Sequence, residues 1–100
     1  MKKIGLITSG GDAPGMNACV RAITKYCLNE GIIPVGFKDG YQGVIDNEFC
    51  ELTFMDVNNI VQSGGTILGT YRSNQFRTRE GRDKAILNLR KNKIDAFICI

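Results

Sequence analysis

The sequence predicts an α/β fold: a parallel sheet covered by helices on both faces, a three-layer sandwich. Three observations carry this expectation. Short apolar runs at Lys3–Thr8, Ile33–Phe37 and Ile94–Ile100 read as strands buried in a sheet. Helical patterns of about 11–15 residues separate them, as in βαβ units. Glycine clusters follow the first two runs, at Gly10-Gly11 and around Tyr41. Parallel sheets of this kind bind ligands beyond the carboxyl ends of their strands, so both clusters belong to one edge.

Each element has a local reason. After the first strand the pattern turns helical over residues 15–29, where Met16, Cys19, Val20, Ile23 and Cys27 recur at helical spacing and form the buried face. Gly31 is placed to end that helix. Ile33–Phe37 is the second strand, and Lys38-Asp39-Gly40-Tyr41-Gln42-Gly43 reads as a loop. Phe49 to Phe54 reads as a short strand in a small hairpin with its turn at Asp46-Asn47, and Asp56 as the cap of a short helix through Val61. Gly64-Gly65-Thr66 is a second glycine turn, leading into Ile67–Ser73. The last helix runs from about Arg79 to Asn92, with Ala85, Ile86 and Leu89 inward. Ile94–Ile100 reads as a strand buried on both faces, and its place at the end of the chain suggests a piece of a longer α/β protein.

Composition narrows the function classes. With 100 residues, 43% of them apolar, the chain suffices for one small globular unit. Its formal net charge of +3 is mild and its basic residues are spread out, which argues against nucleic acid. No apolar run reaches the roughly 18 residues of a membrane span, and the apolar start is too short for a secretory signal. Cys19, Cys27, Cys50 and Cys99 lack C-x-x-C spacing and read as buried free thiols of a reducing cytoplasm. With no histidine in the sequence, His-based acid–base or metal chemistry is excluded within this segment.

The stretch Ile4–Asn17 is the richest in function. A strand runs into Ser9-Gly10-Gly11-Asp12-Ala13-Pro14-Gly15 and directly into a helix. Glycines let the backbone approach a ligand, and a helix N-terminus suits an anion. Gly10 and Gly15 have P-loop spacing, yet Met16 and Asn17 stand where Lys and Ser/Thr would follow, and the run does not fit G-x-G-x-x-G. Two readings remain open: a phosphate loop, or a tight turn in which Asp12 caps the helix and Pro14 fills its first turn. A phosphate loop without lysine needs a cation from elsewhere, and Arg72, after the second glycine turn, offers a forked set of donors. A surface arginine with a carboxylate partner is the plainer alternative, as is a tyrosine packed over its loop for Tyr41. Arg77 is a further phosphate candidate, while Arg79 reads as a solvated helix start. Arg21 and Lys25, four apart on the polar face of the first helix, suit either a solvated face or an anion.

Together these motifs resemble a family. Lys3–Ala18, Gly36–Gly43, Gly64–Arg72 and Lys93–Ile100 resemble, in order, segments of the phosphofructokinases, and the resemblance runs through the whole chain. It implies a Rossmann-like phosphofructokinase fold, of which residues 1–100 are the N-terminal part of the nucleotide-binding domain. The rest of that domain and the sugar-phosphate domain would be absent. The implied reaction is phosphoryl transfer from MgATP to the 1-hydroxyl of fructose 6-phosphate, a step of glycolysis. By the resemblance, Gly11 lines the nucleotide phosphates, Tyr41 sits in the nucleotide site, Arg72 reaches the transferring phosphoryl group as the catalytic cation, and Ser73 lies beside it. The Mg2+ ligands, the Gly-Gly-Asp-Gly-Ser loop and the Asp that positions the sugar hydroxyl fall beyond Ile100 in the family. The 100-residue chain alone is therefore expected to be inactive.

The resemblance also implies a cytoplasmic homotetramer, with Arg21 and Lys25 at an allosteric nucleotide site. The family's bacterial members have two arginines there. Here the second is Lys25, Phe54 stands where an arginine can occur, and Asn59 where an Asp is common. These departures predict a weak response to ADP or phosphoenolpyruvate. Two further readings stay open. Tyr71 and Ser73 depart from the commonest bacterial residues, which leaves a pyrophosphate-dependent phosphofructokinase in play. A non-catalytic nucleotide- or phosphate-binding α/β module would also explain the glycine loops.

Overall fold

A computed structural model describes residues 2–8, 15–58, 67–69 and 73–100. Among the described residues the elements follow in the order β1 (Lys3–Ile7), α1 (Met16–Asn29), β2 (Ile33–Phe37), α2 (Tyr41–Asp46), β3 (Phe49–Glu51), α3 (Phe54–Val57), a 3-10 turn (Gln75–Arg77), α4 (Arg79–Lys91) and β4 (Ala96–Cys99). The strands form one sheet in the order β3-β2-β1-β4. β1 is central and parallel to both neighbours, with Gly5 opposite Val35 on one side and Phe97 on the other. β3 joins β2 antiparallel, with Gly36 opposite Cys50, so the sheet is mixed and mostly parallel.

Alternation along β1 and β2 divides the core into two layers. Leu6 joins Val20 of α1, Val57 of α3, Leu52 and Leu68 on one face. Ile7, Val35 and Phe37 join Val44 and Ile45 of α2 and Ala85 of α4 on the other. The expected three-layer α/β architecture is thus present, with one core on each side of the sheet.

The helix predicted over 15–29 is α1, and Met16, Val20 and Cys27 are buried as its periodicity implies. Gly31, at φ +73°, takes the left-handed turn after the helix. Gly31 N–H donates to Leu28 O, and Ile32 N–H to Cys27 O, which satisfies two end carbonyls. Cys19 is a correction: it is exposed, as are Cys50 and Cys99, and only Cys27 is buried, though none of the four is in a disulfide. Cys19 sits one residue off the buried stripe, while Cys50 and Cys99 lie on outer strands.

The stretch after β2 differs most from expectation. The loop expected to extend to Gly43 ends at Gly40, and α2 occupies Tyr41–Asp46. Gly40 takes φ +62° and ψ −139°, a conformation only glycine adopts with ease, so the chain turns at once into the helix. Asn47, placed in a hairpin turn by the sequence, is the left-handed cap of α2, and β3 pairs with β2 across that helix. Asp56 is not the cap of α3: Thr53 is, and Asp56 answers it in a capping box. The helix reading through Val61 and the Gly64–Thr66 turn lie partly or wholly outside the described residues. α4 matches its predicted span, with Ala85 buried and Leu89 half-buried, but Ile86 is 49% exposed. β4 pairs with β1 alone among the described strands, so Phe97 and Ile98 are half-buried rather than enclosed on both faces.

Candidate functional site

The carboxyl ends of β1 and β2 meet at one edge, as parallel pairing requires. Three contacts hold residues 67–69 there. Thr8, just past β1, donates its hydroxyl to Gly69 O at 2.8 Å. Asp39 N–H, just past β2, donates to Leu68 O at 2.8 Å. Asn17 in the first turn of α1 accepts Ile67 N–H on Oδ1 at 2.7 Å. Leu68 is buried against this edge, and a Cβ at Gly36 would stand 2.7 Å from its Cδ2. Between 28 and 60 residues of intervening chain thus separate partners that the sheet edge brings together.

The chain is described again at Ser73, and α2 fixes it. Ser73 Oγ donates to Gln42 Oε1 at 2.7 Å and accepts Phe76 N–H at 3.0 Å. Gln42 Nε2 donates to Gln75 Oε1 at 3.1 Å and to Asp46 Oδ2 at 3.2 Å. The adjacent Tyr41 stacks on Phe76 with ring centroids 4.0 Å apart and planes 13° from parallel. Its hydroxyl donates to Cys99 Sγ at 3.5 Å. That bond, partial burial and the neighbouring sulfur together raise the Tyr41 pKa, so the phenol stays protonated at neutral pH.

Beside the stack lies an apolar hollow of about 180 Å³, walled by Tyr41, Val44, Phe76, Ile86, Phe97 and the stem of Arg82. Flat aromatic walls of this kind suit a planar, weakly polar ligand part. Here also lies the account of Ile86: it faces the hollow rather than the core.

The site residues expected from the sequence divide into three groups. Tyr41 and Ser73 are brought together, both against the 73–76 turn. Gly11 and Arg72 lie outside the described residues. Arg21 and Lys25 lie on α1, which covers the opposite face of the sheet from Tyr41. Both are partly exposed, and the Nε of Arg21 is buried with no hydrogen-bond partner among the described residues. Arg77 and Arg79 are exposed. Sequence reasoning missed Thr8, Asn17, Gln42 and Phe76. Only Phe76 carried a signal, an aromatic between the basic residues Arg72 and Arg77. Among the described residues, no group of three or more His, Cys, Asp or Glu stands close enough to hold a metal ion, and no helix is long and apolar enough to cross a membrane.

Known proteins carry the same chain pattern. A family model described as phosphofructokinase matches residues 3–100. The ATP-dependent 6-phosphofructokinase of Thermotoga neapolitana is 48% identical over 100 residues, which is all of this chain and 31% of that protein. This chain therefore spans about a third of the length of the curated relatives it matches. Among solved structures, phosphofructokinase from Saccharomyces cerevisiae superposes with a TM-score of 0.94 at 40% identity, over 99% of this chain and 14% of its own. Phosphofructokinase from Pichia pastoris in the T-state also gives 0.94, at 45% identity, over 98% of this chain and 11% of its own. By sequence pattern and by fold, the chain belongs to the phosphofructokinase family.

Proposed function

We infer that the protein carrying this chain is an ATP-dependent 6-phosphofructokinase, and that the sheet described above is part of its nucleotide-binding domain. In the reaction the 1-hydroxyl oxygen of fructose 6-phosphate bonds to the γ-phosphorus of ATP. The bond from that phosphorus to the β–γ bridging oxygen breaks, ADP leaves with the electron pair, and the hydroxyl proton passes to a general base that lies outside residues 1–100. Such transfer depends on positioning and on charge offered to the phosphate oxygens.

The observation that carries the reading is the aromatic hollow beside Tyr41, just past the carboxyl end of β2, and beside the turn that carries Ser73 and Phe76. The nucleoside base has a place there against Tyr41 and Phe76. By the resemblance, Gly11 lines the phosphates, Arg72 reaches the transferring group and Ser73 lies beside it. An apolar hollow has nothing to offer pyrophosphate, which is why ATP is the favoured donor; relatives at up to 48% identity carry the ATP-dependent name. Mg2+ takes oxygen ligands, and no cluster of carboxylates among the described residues provides them. By the resemblance its ligands fall beyond Ile100, and no step is assigned to it.

A homotetramer in the cytoplasm, acting in glycolysis, completes the proposal. Control by ADP or phosphoenolpyruvate is weak in it, because Lys25 lacks the fork of an arginine and Phe54 is apolar. A steep ADP activation curve that Arg21→Ala abolishes would contradict that part. The activity itself is tested by offering fructose 6-phosphate with MgATP or with pyrophosphate and following fructose 1,6-bisphosphate. Turnover with ATP is expected. Turnover with pyrophosphate alone, or with neither donor, overturns the reading.

A further inference from the structure

Tyr41 and Gln42 are neighbours in the first turn of α2, yet they grip the same distant turn in two ways. Tyr41 stacks on Phe76. Gln42 reaches the two ends of the segment that carries Phe76: its Oε1 accepts from Ser73 Oγ at 2.7 Å, and its Nε2 donates to Gln75 Oε1 at 3.1 Å. Ser73 passes the constraint on, since the same hydroxyl accepts Phe76 N–H at 3.0 Å. The amide is itself oriented by Asp46, one helical turn on, which accepts from Nε2 at 3.2 Å and so fixes which end of the amide faces Ser73. A glutamine whose oxygen and nitrogen are both engaged has little rotational freedom, and neither has the turn it holds.

We propose that Gln42 is a positioning residue for the nucleoside base: through Ser73 and Gln75 it holds Phe76 parallel to Tyr41, and so sets the shape of the aromatic hollow. The proposal rests on the ATP-binding reading above. It adds that the hollow's fit depends on a polar side chain that lines none of it. Phe76 lies on a short 3-10 turn of three residues, an element too short to hold its own geometry. Stacking alone fixes ring separation but leaves sliding and tilt loosely determined. The hydrogen bonds from Gln42 supply the missing constraint, and a base that enters the hollow meets a wall already in place. Preorganisation of this kind acts on binding rather than on the chemical step.

The test uses the protein that carries this chain, with Gln42→Ala, Ser73→Ala, Ser73→Thr, Phe76→Ala and the Gln42→Ala/Ser73→Ala double variant. Steady-state kinetics are measured with MgATP and with a pyrimidine nucleoside triphosphate, and thermal unfolding is measured alongside. Gln42→Ala is expected to raise KM for MgATP roughly tenfold, the size of one lost hydrogen bond. The change in kcat should be smaller, and the preference for purine over pyrimidine should narrow. Ser73→Ala should do the same, the double variant should be no worse than the poorer single, and Ser73→Thr, which keeps the hydroxyl, should restore the wild-type KM. A purely structural role would instead lower the unfolding temperature and leave base preference intact. If Phe76→Ala raises KM while Gln42→Ala and Ser73→Ala leave it and the base preference unchanged, the positioning role is wrong and the hollow stands. If Phe76→Ala also leaves KM for MgATP unchanged, the nucleotide reading of the hollow fails first.

Discussion

The two faces of the sheet are built from different materials. On the α1/α3 side the buried cluster is aliphatic: Leu6, Val20, Leu52, Val57 and Leu68, padded by isoleucines. The α2/α4 side adds Phe37, Tyr41, Phe76 and Phe97, and the ring contacts of the described residues lie there. On that side two helix glycines also lie against the backbone of neighbouring turns. A Cβ at Gly43 would stand 1.7 Å from Lys38 O, and one at Gly81 1.9 Å from Gln75 O, both backbone atoms. At Gly36, on the aliphatic side, the nearest atoms belong to the movable side chains of Leu68 and Leu52. Branched aliphatic side chains fill space and adapt, whereas stacked rings on tightly set helices hold a shape. The second kind of wall is the one a ligand requires.

The largest expected effect sharpens this contrast at the core. Phe37 is fully buried and meets both Phe49 and Phe97, so Phe37→Ala should cost about 4 kcal/mol, against about 3 for Leu6→Ala on the other face. Urea unfolding measures both, and equal costs would argue that the rings are mere filler. Next comes the glycine pair. Gly43→Ala meets backbone and should cost about 3 kcal/mol, while Gly36→Ala displaces only leucine methyls and should cost about 1. A reversed order would refute the idea that α2 is set by close backbone contact.

A smaller effect is expected at Asn88. Its buried Nδ2 donates to Val44 O at 2.8 Å and Ile45 O at 2.9 Å, closing carbonyls at the end of α2. Asn88→Ala leaves them without that donor and should cost about 2 kcal/mol, and an unchanged urea midpoint would remove the bond from the account. The smallest effect is on pH dependence. The Tyr41 pKa is raised, first by the Cys99 hydrogen bond and then by burial. The folded protein therefore holds that proton more tightly than the unfolded chain. The resulting stability is complete below the ordinary tyrosine pKa and is lost as pH rises through the raised value. A Tyr41→Phe variant should lose this alkaline component of the stability curve and the last-appearing part of the tyrosinate absorbance.

Periodicity made α1, β2 and α4 legible, because a buried stripe repeats wherever a helix or strand lies on a core. It failed at Tyr41–Asp46, where glycines and a tyrosine look like a loop. What makes that stretch a helix is the tertiary burial of Val44 and Ile45 and the close seat of Gly43 on Lys38. β4 read as enclosed because four apolar residues in a row carry no sign of which neighbours flank them. At the site, Tyr41 and Ser73 were legible through the family pattern. Thr8, Asn17 and Gln42 were not, since each acts through a bond to a residue at least 31 positions away. Such a partner leaves no local trace in the chain.

The central claim is that the aromatic face holds the nucleotide, and Tyr41 tests it most directly. In the protein that carries this chain, KM for MgATP is compared between wild type and Tyr41→Ala at saturating fructose 6-phosphate. Loss of one face of the hollow should raise that KM about tenfold or more, with the KM for fructose 6-phosphate little changed. An unchanged KM for MgATP, with turnover intact, would contradict the account.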